Sequence, residues 1–306
     1  MKRITAIFLS VLLLLLSACA PLPESDGRLR IVCTVFPAYD LARSIAGERA
    51  EITMLLPPGA EAHSYEPTAQ DLLKLENCEL FLFIGGENDT WVEELTQGLR
   101  HAPALFPLLD HADTYREEEP NGEPSEEGEP DEHVWTSPEK MRQLAAALCQ
   151  TLCEKDPAGE AEYRRAAAEY DGALADLSAR LRETVETAAR REIVVADRFP
   201  FLYLIKDYGL TYYAAFPGCG HETEPSAATM AALCDRVRES GIPAVLYVEF
   251  STRAVADALA ETCSVQTRLL HSCHNVSREE LAAGVTYLSL MEENIKVLSE
   301  VLNEWN

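Results

Sequence analysis

Between residues 163 and 188 apolar side chains recur at steps of three and four: Tyr163, Ala167, Tyr170, Leu174, Leu177, Leu181, Val185 and Ala188. This spacing lays one apolar stripe along an α-helix. At 1.5 Å per residue, a helix of about 28 residues reaches roughly 40 Å, the length of a whole lobe. A rigid helix of that length in mid-chain joins two halves and limits their hinge motion.

On either side of it, short apolar stretches alternate with helical ones. Ile31 to Phe36, Glu51 to Leu56 and Glu79 to Gly85 read as strands. Helices fit Ala38 to Ala46, Pro67 to Leu75 and Ser137 to Cys153. Beyond the long helix, strands are expected at Ile193 to Ala196, Thr211 to Phe216, Ala244 to Phe250 and Val265 to Leu270, with a last helix near Tyr287 to Leu302. Continuous apolar strands separated by helices argue parallel sheets covered on both faces. The expected fold class is α/β, with two parallel-sheet lobes joined by a single long backbone helix. The boundaries are a leader at 1–19, a tether at 20–28, an N-terminal lobe at 29–157, the connecting helix at 158–190 and a C-terminal lobe at 191–306.

The leader has Lys2 and Arg3, then an apolar run from Ile7 to Leu16, and it closes Leu16-Ser17-Ala18-Cys19. This reads as an export signal whose end resembles a bacterial lipobox, with Cys19 as the lipidated residue. The expected location is the extracytoplasmic face of the cell membrane, held by that lipid. A net charge of −25 repels nucleic acid and suits cationic ligands. Of the nine cysteines none forms a CxxC pair, so a thiolate zinc knuckle is not indicated. Export permits disulfides, but spacing does not fix their pairing. Residues 117 to 132 carry nine acids, three prolines and two glycines in sixteen positions. Such a stretch cannot bury a core and is expected to be a disordered surface loop. Its place just before His133 also suits it to collecting cations.

Two histidines sit on loops that precede helices: His63 in "LPPGAEAHSYEPT" and His133 in "DEHVWTSP". Loops at the strand ends of open α/β sheets are where such folds bind ligands. Trp135 is expected to pack beneath the second loop, and Ser137-Pro138 to start a helix that pins it.

These motifs carry a resemblance. The mature chain is similar throughout to the zinc/manganese-type solute-binding lipoproteins of bacterial ABC importers, through "IVCTVFPAYDLARSIAG", "PPGAEAHSYEPTAQDL", "DEHVWTSPEKM" and "GVTYLSLMEENIKVL". The resemblance implies a metal site in the cleft between the lobes, with His63 and His133 as ligands from the N-terminal lobe. It also implies an ABC permease and its ATPase as partners of a monomeric binding protein. The C-terminal lobe departs from the family pattern. In "VVADRFPFLYLIKDYGL" the third ligand position falls on Arg198, unless a bulge at Pro200 brings Asp197 there. In "VQTRLLHSCHNVS" the position of the family's aspartate is His271, and His274 stands three residues later as the competing assignment. The expected set is therefore His63, His133 and His271, with Asp197 as the fourth. The competing readings spend Asp197 on Arg198 or Lys206, and His274 on capping the next helix. In "GCGHETEPS", His221, Glu222 and Glu224 are alternative or supporting groups, unless Thr223 or Glu224 serves only as a helix cap. Cys219 and Cys273 could form a disulfide or supply a thiolate. His101 and His111 read as surface residues.

Three imidazoles and one carboxylate suit Zn²⁺ better than Mn²⁺, which favours oxygen donors. A closed four-ligand shell binds and does not catalyse. An exported zinc hydrolase would need an open position and a base such as Glu66 or Glu222, and the chain has no HExxH, G-x-S-x-G or phosphate-loop motif. A manganese or iron carrier of the same family and an adhesive lipoprotein are the remaining readings.

Overall fold

In a computed structural model of the chain, which describes residues 27–117, 128–216 and 224–303, the first apolar stretch forms β1 (Leu29–Cys33) and leads into α1 (Phe36–Ala46). Pro37 lies in the first turn of α1, where a missing N–H costs no hydrogen bond. β2 (Ala50–Met54), α2 (Ala69–Glu76), β3 (Leu80–Phe83), α3 (Trp91–Gln97) and β4 (Ala104–Pro107) complete the first half. The four strands are parallel in the order β2-β1-β3-β4. Central β3 is buried along its whole length, as a continuous apolar strand covered on both faces must be. β4 has no counterpart in the sequence reading. It is a four-residue edge strand with Leu105 exposed, too short and too mixed to show a period.

α4 (Pro138–Lys155) and the long α5 (Glu160–Glu186) follow. The buried face of α5 is Tyr163, Tyr170, Leu174, Leu177, Ser178, Leu181 and Val185, so the apolar stripe is the packed one. The helix ends at Glu186, and Ala188 falls just beyond it. The second half repeats the first: β5 (Glu192–Val195), α6 (Leu202–Tyr208), β6 (Thr211–Ala214), α7 (Ala227–Ser240), β7 (Ala244–Tyr247), α8 (Ala254–Cys263) and β8 (Gln266–Leu269). Its strands are also parallel, in the order β6-β5-β7-β8. α9 (Arg278–Ala282) and α10 (Tyr287–Leu302) end the described chain.

α5 packs on α1 and α4 and on α10, and one buried apolar cluster runs from Ile31 through to Leu302. The two sheets therefore share a core. α10 returns to the first half: the Tyr287 hydroxyl donates to the Trp135 carbonyl at 2.8 Å, and its backbone N–H donates to Asp40 at 2.8 Å. Asp207 on α6 accepts from Tyr115 at 2.6 Å and from Ser137 at 2.5 Å, a second tie across the halves. Cys234 on α7 and Cys263 on α8 form a disulfide. Among the described residues no helix is long and apolar enough to cross a membrane. Residues 1–26, with the expected leader and Cys19, lie outside the described residues, as do residues 118–127 of the acidic stretch, whose flanks meet through an antiparallel bridge between Arg116 and Pro130.

Candidate metal centre

Every group around the centre lies on a loop that follows a strand: His63 after β2, His133 after β4, Asp197 after β5, Glu249 after β7 and His274 after β8. Gly59 in the first loop has φ +81°, a left-handed conformation that glycine adopts without strain. The loop is fastened to the opposite half: Gly59 N donates to the Val276 carbonyl at 2.9 Å, and the Asn275 amide donates to the carbonyls of Pro57 and Ala60, both at 2.9 Å. His63 Nδ1 is 3.1 Å from the Asn88 side-chain nitrogen, which also donates to Glu132 at 2.7 Å. Gly86 allows this arrangement, because a Cβ there would collide with the Glu132 carboxylate.

His133 is buried and its ring Nδ1 is 3.2 Å from Asp131 Oδ1, which also accepts from the His133 backbone at 2.9 Å. A carboxylate on one imidazole nitrogen leaves the other as a lone-pair donor, the usual support of a metal-ligating histidine. Trp135 lies fully buried beneath the loop and its indole N–H donates to the Ser272 carbonyl at 2.9 Å. Ser137 caps α4 through the Glu139 N–H, with Pro138 in the first turn.

His274 completes the group. Its ring centroid is 5.0 Å from that of His63 and 5.5 Å from that of His133, and the latter two are 5.6 Å apart. One nitrogen of each ring falls within 4.8 Å of the others. A tetrahedral ion 2.0–2.1 Å from each nitrogen needs about 3.3 Å between them, so a small inward movement of the rings completes the fit. His274 Nε2 is buried with no hydrogen-bond partner among the described residues. A buried polar atom without a partner calls for an explanation, and a cation supplies one. Burial above all, then His63, His133 and Arg198, pushes the His274 pKa well below its ordinary value, so the ring is neutral.

His271, expected as a ligand, is placed apart from the three-histidine group. Its backbone N–H donates to Asn294 at 2.8 Å, and its Nδ1 accepts from the Cys273 N–H at 2.9 Å. The ring is thus folded onto its own loop, outside the three-histidine group, although its Nε2 is also buried without a partner among the described residues. Cys273, at φ +61°, turns the loop between the two residues, so that His274 rather than His271 faces His63. Asp197 is likewise not brought to the group. One of its oxygens accepts from Arg198 N at 2.9 Å and the other from Val248 N at 3.2 Å, which ties the ends of β5 and β7 together. Arg198 itself pairs with Glu61 at 2.8 Å. Burial raises the Glu61 pKa, but Arg198 and then His63 more than offset this and hold it below the usual value.

Glu224 is exposed just before α7, outside the group. Cys219, His221 and Glu222 lie outside the described residues. Cys273 carries a free buried thiol whose pKa is pushed well up, first by burial and then by Glu249, so it stays protonated rather than offering a thiolate. His111 stacks on Phe106 at 4.0 Å, while His101 is exposed. The sequence reading missed Glu249, whose carboxylate accepts from Ser272 N at 2.7 Å, Ser272 Oγ at 2.5 Å and His274 N at 3.3 Å. An acid directly after a buried strand was the available signal.

The depressed His274 pKa has a consequence for the metal-free protein. Below the unfolded value of about 6.5 the unfolded chain binds a proton that the folded ring refuses. Stability contributed at neutral pH is therefore lost as pH falls, by up to about 1.4 kcal/mol per unit. His274→Asn should flatten the dependence of the urea midpoint between about pH 6.5 and 5.5. Equal slopes in parent and variant would refute this.

Two α/β halves on one long helix, with three neutral-capable imidazoles converging between them, define a cleft protein built to hold a metal ion. The chain belongs to the zinc-uptake complex component A family (ZnuA), whose model matches residues 31–301. It is 30% identical over 311 residues to the zinc-binding lipoprotein AdcA of Streptococcus pneumoniae, covering 99% of this chain and 62% of that protein. The chain thus spans less than two thirds of that relative. It is 28% identical over 287 residues to the high-affinity zinc uptake system protein ZnuA of Bacillus subtilis, covering 91% of this chain and 89% of that one. The Zn(II)-bound ZnuA-like domain of S. pneumoniae AdcA superposes with a TM-score of 0.76 at 28% identity, covering 91% of this chain and 100% of that one.

Proposed function

We propose that the chain is the extracytoplasmic binding component of a bacterial ABC importer, and that it captures Zn²⁺ between His63, His133 and His274 for delivery to a permease and its ATPase. The observation that carries this is the convergence of three ring nitrogens from three strand-end loops, with His274 Nε2 buried and otherwise unpartnered among the described residues. The donors explain the choice of metal: imidazole is a preferred zinc ligand, whereas manganese favours oxygen. The chain's anchor to the membrane is Cys19, and its lobes are residues 29–157 and 191–306 about the helix at 158–190. The ties between halves favour capture by small ring and loop movements over wide hinge closure.

Deletion of the gene should stop growth in chelator-treated medium, and added zinc should restore it where equimolar manganese does not. Rescue by manganese alone would contradict the zinc assignment. Unimpaired growth and zinc uptake would favour an adhesive role over transport.

A further inference from the structure

The three histidines leave one side of the group open onto a cavity of about 40 Å³, whose walls include Glu61, His63, Arg198 and His274. That is room for at least one water. Glu249, which also lines it, is fixed by the Ser272 and His274 backbone N–H groups. The carboxylates on the neighbouring loops are fixed in the same way: Asp131 by His133, Glu132 by Asn88, and Asp197 by Arg198 and Val248. Freeing any of them would leave backbone N–H donors without their carboxylate partners. Glu61 is held differently. One oxygen meets the Arg198 guanidinium at 2.8 Å, and the other receives only a long 3.4 Å contact from His63 N. The two side chains are 26% and 40% exposed. An ion pair that open to water is worth no more than about fivefold in an equilibrium constant.

We infer that Glu61 is the fourth donor to the bound cation, held back by Arg198 in the metal-free protein and exchanged from the guanidinium to the metal on capture. This rests on the three-histidine reading of the site. The carboxylate gives up a single positive charge for a double one, and a three-nitrogen, one-oxygen shell is a set that zinc accepts in tetrahedral geometry. Arg198 then remains at the mouth beside the ion. Its charge competes for Glu61 and repels the metal, so it limits affinity and favours release.

The test uses the full-length chain with zinc competition titrations and with Co²⁺ as a spectroscopic stand-in. Glu61→Gln should weaken zinc by about ten- to a hundredfold and alter the visible bands of the cobalt form. Arg198→Ala should tighten zinc by about three- to tenfold and slow its transfer to a chelator. Parent-like affinity with an unchanged cobalt spectrum in Glu61→Gln would overturn the assignment of Glu61. Weaker binding in Arg198→Ala would overturn the exchange. A parent that binds no zinc, or a His133→Ala variant that binds as the parent does, would remove the three-histidine reading itself, a result separate from failure of the Glu61 variants alone.

Discussion

His274→Ala should weaken zinc binding by about a hundred- to a thousandfold, whereas His271→Ala should leave the dissociation constant within about threefold. Structural zinc sites with four ligands bind with about 10–16 kcal/mol, so each ligand contributes roughly 2.5–4 kcal/mol. His274 is one of three rings that meet, and its Nε2 has no other partner among the described residues. His271 lies outside the group, with Nδ1 occupied by the Cys273 N–H. Its removal disturbs the loop, but Asn294 bonds to the His271 backbone and not its ring, so the loop keeps that tie. Competition titrations against a chelator of known affinity decide the matter. Loss of binding in His271→Ala with normal binding in His274→Ala would reverse the assignment.

Trp135→Ala should lower stability by about 3–5 kcal/mol, the usual cost of emptying a fully buried large aromatic site. Two further losses add to it. The Ser272 carbonyl loses its donor across the halves, and the wall beside His274, whose ring lies 4.9 Å away, disappears. Zinc affinity should fall with stability, because the same ring positions two of the three histidines. Trp135→Phe fills most of the space but cannot donate, so it should cost only about 1–3 kcal/mol. Urea unfolding of the metal-free proteins measures both. A Trp135→Ala variant destabilised by less than about 1 kcal/mol would show that this contact is not structural.

The frame was legible because its signals are local and repeated. The stripe on α5 and the limits of α10 follow from helical period, and the central strands from continuous apolar runs. His63 and His133 were legible because each stands in a long motif beside a helix start. β4 was not, since a short edge strand has no period to read. The C-terminal half of the site was less legible for another reason. Whether residue 271 or 274 enters the cleft depends on one left-handed residue, Cys273, which is not a glycine and gives no warning. The supporting contacts join residues far apart in the chain, such as Asn88 with His63 and Glu132, and Arg198 with Glu61. Spacing carries no information about pairs of that kind.

The most direct measurement of the central claim is anomalous diffraction at the zinc edge from crystals grown with one equivalent of zinc. A single peak is expected between His63, His133 and His274, about 2.0–2.1 Å from one nitrogen of each ring. A peak at His271 or in the acidic stretch, or none between the three rings, would contradict it.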